Sequence, residues 1–286
     1  MRWASRGTMS PERTTDNTRR FPGRVLSPSS PDAVLSRGGR LLILGCIVLS
    51  TLLAWAYLFH LDRQMSAGME YDKMMAAMGM RTNMPWAPAD FFFTFAMWAV
   101  MMVGMMAPAA APMLLLFAAT RAGRGKRSLP LTTLAFALGY ISVWASFSAG
   151  ATAAQWGLHQ AAMLSAVMAS SSGRLSGAIL MAAGAYQLTP WKSKCLTHCR
   201  SPLGFLMTNW RDGLDGALLM GFRHGAYCLG CCWALMCVLF VVGIMNLIWV
   251  AALTGFVLIE KIGPAGTIVP RVAGTAMFVL GVMAIV

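Results

Sequence analysis

The sequence predicts an all-α fold, a polytopic bundle of about seven transmembrane helices, and three observations lead to this prediction. Hydrophobic residues make up 57% of the 286 residues and charged residues only 12%, whereas charged residues are about a quarter of a soluble domain. Apolar runs long enough to cross a bilayer recur along the chain. The formal net charge of +13 fits basic cytoplasmic loops of a membrane protein. No basic stripe with interleaved aromatic residues is present, so no nucleic-acid partner is expected.

The chain divides into a tail and a helical domain. Residues 1–40 contain eight arginines and lack apolar periodicity, which predicts a disordered Arg-rich cytoplasmic tail. Residues 41–286 form the predicted transmembrane helical domain. Residues 203–222 hold Leu, Phe and Trp residues among polar neighbours, which predicts an interfacial or re-entrant helix of this domain. The predicted spans are 41–59, 91–119, 131–157, 174–190, 225–245, 246–262 and 270–286.

Basic residues in the loops predict the orientation. The segments 1–40, 120–130, 189–224 and 260–271 together hold 19 of the 23 Lys and Arg residues. Cytoplasmic loops carry the excess of Lys and Arg in membrane proteins. The sequence therefore predicts a multi-pass protein with its N-terminus and the 189–224 segment in the cytoplasm.

Three cysteines at the start of an apolar run predict a metal site. At about 100° per residue, Cys228, Cys231 and Cys232 fall on one helical face, whereas Cys237 falls on the opposite face. Gly230 would allow another segment to approach this face closely. Thiolates are soft ligands that suit Cu(I), Zn and iron–sulfur clusters.

A second pair of cysteines lies in the preceding polar segment. Cys195 and Cys199 have i, i+4 spacing, which puts both on one side of a helix, and His198 lies between them as a candidate imidazole ligand, with His224 further on. Lys192, Lys194 and Arg200 surround the pair, and nearby cations lower a thiol pKa. Because the two segments are connected, all five thiols are expected to converge. No zinc-finger spacing is present.

Methionine offers a further set of sulfur ligands. The chain has 24 methionines, and Met97, Met101 and Met105 form one stripe at helical spacing. Pro108 and Pro112 continue the stripe and predict a broken helix, a feature of transporter sites. Methionine is also a flexible apolar filler, so packing remains the alternative. Thioethers favour Cu(I) over Zn. Seven further methionines lie in the predicted external segment 60–90: Met65, Met69, Met74, Met75, Met78, Met80 and Met84.

Several ordered motifs resemble a bacterial family of predicted metal-binding integral membrane proteins, a cysteine-rich domain of unknown function. They are the 184–202 stretch, the Cys228–Met236 run, the Gly243–Asn246 turn, the Met-Met-Ala-Pro sequence that ends at Pro108 and the Glu260–Lys261 pair. The resemblance covers about 90–262. It implies a polytopic helical fold in the bacterial inner membrane and a metal site at Cys195, Cys199, Cys228, Cys231 and Cys232.

The leading functional hypothesis is a non-enzymatic membrane protein that binds, transports or delivers Cu(I). Its expected partners are the lipid bilayer, the metal ion and a soluble metal chaperone or an apo-metalloprotein. One alternative is a membrane thiol–disulfide oxidoreductase that uses the cluster from Cys228 to Cys232, and another is a non-enzymatic scaffold. The sequence has no phosphate-binding glycine loop, no phosphorylation motif of an ATP-driven pump and no Ser/His/Asp arrangement.

Overall fold

The computed structural model describes residues 35–77, 86–123, 129–161, 172–263 and 268–285. Over these ranges the chain forms ten α-helices and no strand, which confirms the all-α prediction. Most of the predicted tail lies outside the described residues, although its last residues, 37–40, already belong to the first helix. The helices are α1 (Arg37–Ala77), α2 (Pro88–Ala122), α3 (Leu129–Gln160), α4 (Gly173–Gln187), α5 (Pro190–Arg200), α6 (Pro202–Asn209), α7 (Gly213–Cys237), α8 (Leu239–Val242), α9 (Leu247–Ile262) and α10 (Ile268–Ile285).

Five helical segments are long and apolar enough to cross a membrane. They are Arg37–Met65, Pro88–Ala122, Leu129–Gln160, Gly213–Val242 and Ile268–Ile285. Large apolar side chains are exposed on them, as in Leu41, Phe92 and Met283, where a soluble protein would present polar groups. The helices α4 and α9 coincide with the other two predicted spans but have only 15 and 16 residues, below the roughly 20 that a span needs.

The prediction of one interfacial helix over 203–222 is wrong. The helix α6 ends at Asn209, and α7 starts at Gly213, whose φ of 90° breaks the helical path. Residues 213–222 are the first turns of the long α7, and Ala217 and Met220 on them are buried in the core. Their mixture of apolar and polar positions is typical of a helix with one face packed inside the protein, and an interfacial helix has the same pattern.

Glycines let α3 and α7 pack with their backbones in contact. A Cβ on Gly139 would overlap the carbonyl oxygen of Leu218, and a Cβ on Gly221 would overlap the carbonyl oxygen of Phe136. Small residues at a helix interface permit this approach, which is a common mode of association in membranes. The contact fixes α7, the helix with most of the cysteines, against α3.

The helices α4 and α10 pack in the same way along their length. A Cβ on Gly177 would lie 2.6 Å from the carbonyl oxygen of Gly281, and a Cβ on Gly184 would lie 2.6 Å from that of Gly274. The pairing of 177 with 281 and of 184 with 274 makes the two helices antiparallel. The short α4 therefore runs beside a helix that is long enough to cross a membrane.

A buried ion pair holds α5 against α9. Thr189 caps α5 by accepting a hydrogen bond from the Lys192 backbone N–H, and Pro190 occupies the first turn, both features of a helix N-terminus. Lys192 Nζ then lies 2.7 Å from Glu260 Oε1. From the other end of α5, the Arg200 guanidinium donates to the carbonyl oxygens of Glu260 and Gly263 at 3.0 and 2.6 Å. These contacts set the position of Cys195 and Cys199 between them.

Replacing Lys192 by Leu should strongly destabilise the fold, because it leaves the Glu260 carboxylate buried without a partner. Breaking a buried pair in this way costs about 3–5 kcal/mol of unfolding free energy. The measurement is thermal unfolding of the detergent-purified protein, followed by the reaction of newly exposed cysteines with a thiol-reactive dye.

The matched control is Lys194→Leu, on the exposed side of α5, which should leave the midpoint close to that of the unmodified protein. The double variant Lys192→Leu/Glu260→Leu should recover part of the loss, since no charge remains unpaired. Equal midpoints for Lys192→Leu and Lys194→Leu would contradict a structural role for this pair.

Candidate metal centre

Three cysteines of α7 lie together in the buried core. Cys228, Cys231 and Cys232 are each at most 3% exposed. The Sγ atoms of Cys231 and Cys232 both donate to the carbonyl oxygen of Cys228 at 3.0 Å. Three sulfurs are thereby collected around one turn of the helix, in an apolar environment with little access to water.

The cysteines of α5 approach this turn from outside. Cys199 Sγ lies 3.9 Å from Cys231 Sγ. Cys195 Sγ packs over Gly230, where a Cβ would come within 2.9 Å of it, and Tyr186 donates a hydrogen bond to the Gly230 carbonyl. Metal–sulfur bonds are about 2.3 Å for zinc, so two such bonds span at most about 4.6 Å. The separation of the Cys199 and Cys231 sulfurs is therefore one that a single ion can bridge.

A buried lysine faces the cysteine turn from α9. Lys261 Nζ lies 2.9 Å from Cys228 Sγ and 3.8 Å from Met106 Sδ. The Tyr140 hydroxyl lies 3.0 Å from the same Cys228 Sγ and 3.4 Å from the Met106 carbonyl oxygen. Cys228 therefore has an ammonium group and a phenol as neighbours, the surroundings that stabilise a thiolate. We refer to the five cysteines with Lys261, Tyr140 and Met106 as the sulfur centre.

Glu260 and Lys261 lie at the end of α9, and charged side chains at such a helix end usually reach the membrane interface. These two do not, because Glu260 is 1% and Lys261 8% exposed, and each pairs inside the protein. The sequence signal for this is the length of α9, since the apolar run before the pair gives a helix of only 16 residues. A helix that short does not by itself bring its charged end to the interface.

The basic side chains of α5 bond to α9 or face solvent, and they do not lower the pKa values of the α5 thiols. Lys192 and Arg200 are engaged by α9, and Lys194 is exposed. Burial raises the pKa of the Cys195 thiol. Hydrogen bonding with the sulfurs of Cys228 and Cys231 raises the pKa of Cys199 well above its usual range. The sequence-based expectation of lowered pKa values for Cys195 and Cys199 is wrong, and metal binding there has to displace protons.

The two candidate imidazole ligands lie in different surroundings. His198 is exposed, its Nδ1 lies 2.9 Å from the Lys194 carbonyl oxygen and its ring stacks on Tyr227 at 4.4 Å. His224 is buried one turn before Cys228, with its ring stacked on that of Tyr140 at 5.8 Å. Within the described residues, His224 Nδ1 has no hydrogen-bond partner.

The methionine stripe lies inside the protein. Met97, Met101 and Met105 are buried in the same core cluster as Cys228, although Met106, on the neighbouring stripe, is the residue that contacts Lys261. The predicted break in this helix is wrong, because α2 runs continuously from Pro88 to Ala122 with Pro108 and Pro112 inside it.

The external methionines are only partly described. Met65 packs against the core cluster and Met74 is exposed. Met69 and Met75 lie in α1, but their side chains are outside the described set, as are residues Met78, Met80 and Met84. The predicted external segment begins as a helix, because α1 continues to Ala77.

In the part of the chain that the structure describes, no three His, Cys, Asp or Glu side chains are grouped closely enough to hold a metal ion. A four-ligand site of the structural zinc type is therefore not assembled among these residues. The centre instead offers a pair of sulfurs, Cys199 and Cys231, with further thiols and a thioether close by.

Comparison with known proteins gives a family match. No curated protein and no solved structure matches the chain. The family described as PpoB2, copper chaperone, matches residues 95–284. This range includes every residue of the sulfur centre and excludes α1. Because the match covers well over half of the sequence, the chain belongs to the PpoB2 copper chaperone family.

Proposed function

We propose that this protein carries Cu(I) in the membrane, binds it between Cys199 and Cys231, and delivers it to a partner protein. The observation that carries the proposal is the 3.9 Å separation of these two sulfurs, which come from different helices and meet where the buried Cys231 faces the half-buried Cys199. Membership of a copper chaperone family supports copper as the cargo.

The chemistry of the donors favours Cu(I). Thiolates and thioethers are soft and select Cu(I), and Cu(I) is satisfied by as few as two sulfurs. Zinc requires about four ligands in a structural site, and no group of three His, Cys, Asp or Glu side chains that could hold a metal ion is found among the described residues. The apolar surroundings of Cys231, which is 1% exposed, would exclude water and protect the ion from oxidation.

Delivery is supported by the gradation of burial across the centre. Cys228, Cys231 and Cys232 are buried, whereas Cys195 and Cys199 on α5 are half-buried. An ion held between Cys199 and Cys231 can be reached from the Cys199 side by incoming thiols of a soluble metal chaperone or an apo-metalloprotein. His198, exposed beside Cys199, would be available as a further ligand during exchange.

The methionine stripe would supply a route through the membrane. Met97, Met101 and Met105 run along α2 inside the same buried cluster as the thiols. Their thioethers bind Cu(I) more weakly than thiolates do, so an ion would move along them toward the cysteines. Because the affinity rises from the thioethers to the thiolates, transfer of the ion to the cysteines of the sulfur centre would need no input of energy.

We further propose that the protein lies in a bacterial inner membrane with its N-terminus and α5 in the cytoplasm. The excess of Lys and Arg in the segments on that side supports this orientation. This orientation requires α4 to cross the membrane. The antiparallel glycine contact of α4 with α10, a helix long enough to span a membrane, supports such a crossing.

Fusions of alkaline phosphatase, which is active only outside the cytoplasm, test this orientation. A fusion after Gln160, at the end of α3, should be active, and a fusion after Ser201, at the end of α5, should be inactive. A green fluorescent protein at the same positions gives the complementary readout. An active fusion after Ser201 would show that α4 does not cross and would place α5 outside.

The variant Cys199→Ser/Cys231→Ser tests the copper site. Cu(I) affinity, measured by competition with bicinchoninate on detergent-purified protein, should fall by more than about 100-fold, because even loss of an outer-shell partner costs about 10–100-fold. The matched control is Cys46→Ser/Cys237→Ser, which removes two thiols that lie apart from the sulfur centre and should leave the affinity unchanged.

Equal affinity in the Cys199→Ser/Cys231→Ser variant and the control would exclude this pair as the copper site. A different result would favour the oxidoreductase hypothesis over the Cu(I) carrier hypothesis. In that result neither the unmodified protein nor the control binds Cu(I), and thiol alkylation shows a reversible disulfide.

A further inference from the structure

The ammonium group of Lys261 lies beside the proposed copper site. The Lys261 ammonium is buried between two sulfur atoms, 2.9 Å from Cys228 Sγ and 3.8 Å from Met106 Sδ. The Tyr140 hydroxyl, 3.0 Å from Cys228 Sγ, completes the surroundings. A thioether is a weak hydrogen-bond acceptor, so its contact with an ammonium group contributes little to the stability of the fold.

Both sulfur atoms are of types that bind a soft monovalent ion. A thiolate and a thioether are the donors that select Cu(I). Met106 lies on α2 beside the methionine stripe, and Cys228 lies one turn from Cys231 on α7, whose thiol donates to the Cys228 carbonyl. The position therefore falls between the proposed methionine route and the thiol pair Cys199–Cys231.

We propose that Cys228 and Met106 form a second Cu(I) position, which the Lys261 ammonium occupies until the ion arrives. This inference rests on the proposed function, because it adds a step to the same copper route. Cu(I) and the ammonium group carry the same charge, so the ion replaces Lys261 as the cationic partner of the Cys228 thiolate. Copper stays in the +1 state, and no electron or covalent bond is transferred.

The physical reason for such a lysine is the cost of a buried charge. A thiolate buried without a cation is strongly unfavourable, so a preformed Cys228 ligand needs a positive charge when copper is absent. Lys261 supplies that charge on a flexible four-carbon stem with three donor hydrogens, which can move aside. An ion bound here would also be released readily, since the ammonium group returns to its place once copper has moved to Cys231.

The test uses the Cys199→Ser/Cys231→Ser variant as the background, so that the first site is absent. This variant should keep a weaker Cu(I) site in the bicinchoninate competition. Adding Met106→Leu, which conserves volume, should abolish the residual binding. The matched control is Met113→Leu, since Met113 is equally buried on α2 but belongs to a different core cluster, and it should leave the residual binding unchanged.

Lysine substitutions in the same background decide whether Lys261 competes with copper. Lys261→Gln removes the competing cation, so the residual affinity for the deprotonated thiol should rise by about tenfold or more, the value of a hydrogen bond to a charged group. That affinity is obtained from the pH dependence of binding, because the affinity at one pH also includes the cost of removing the thiol proton. Lys261→Arg retains the charge and should keep the residual affinity low. A lysine that served only to support the fold would give the opposite result, a weaker residual site in Lys261→Gln.

Three outcomes would overturn the inference: no residual binding in the background, residual binding that Met106→Leu leaves intact, or residual affinity that Lys261→Gln leaves equal or lowers. Thermal unfolding of each variant confirms that it is folded when binding is measured. These outcomes are distinct from a failure of the proposed function, in which Cys199→Ser/Cys231→Ser binds copper as the unmodified protein does.

Discussion

The buried ion pair between Lys192 and Glu260 is the interaction on which the sulfur centre depends. It fixes α5 against α9, and α5 carries Cys195 and Cys199 to the turn of α7 that holds Cys228 and its neighbours. Short polar helices rarely dock on an apolar bundle through hydrophobic contact alone, and α5 contributes few apolar residues. In a low-dielectric interior, the paired charges and their further hydrogen bonds fix the geometry, because either charge left without its partner would be strongly unfavourable.

Adjacent residues of α9 direct opposite charges toward different helices. Glu260 points to α5 and holds it, whereas Lys261 points to α7 and faces the Cys228 sulfur. A helix places consecutive side chains about 100° apart, so one turn of α9 contacts both cysteine-bearing segments. A change at either residue would therefore affect the centre, through the position of α5 in one case and through the surroundings of Cys228 in the other.

The sequence predicts the all-α fold and long apolar helices, because composition and hydropathy are local properties. It also predicts that Gly230 allows a close approach, and Cys195 does pack there. Lys261 and Tyr140 each contact both Cys228 and Met106, so that α9 and α3 join α2 to α7. No local pattern encodes which face of one helix meets another. The same limit explains the wrong expectation for the α5 cations, whose partners lie about 60 residues away. The prediction of an interfacial helix over 203–222 fails because a helix with one buried face has the same residue pattern as an interfacial helix.

The proposed copper site combines sulfur ligands from the cysteines of α5 and α7. X-ray absorption at the copper K-edge, on detergent-purified protein loaded with one equivalent of Cu(I), identifies the ligand atoms of the bound ion. The expected spectrum has a Cu(I) edge and a first shell of two or three sulfur atoms with no lighter ligand. A first shell dominated by nitrogen or oxygen, or a Cu(II) edge under reducing conditions, would rule out this site.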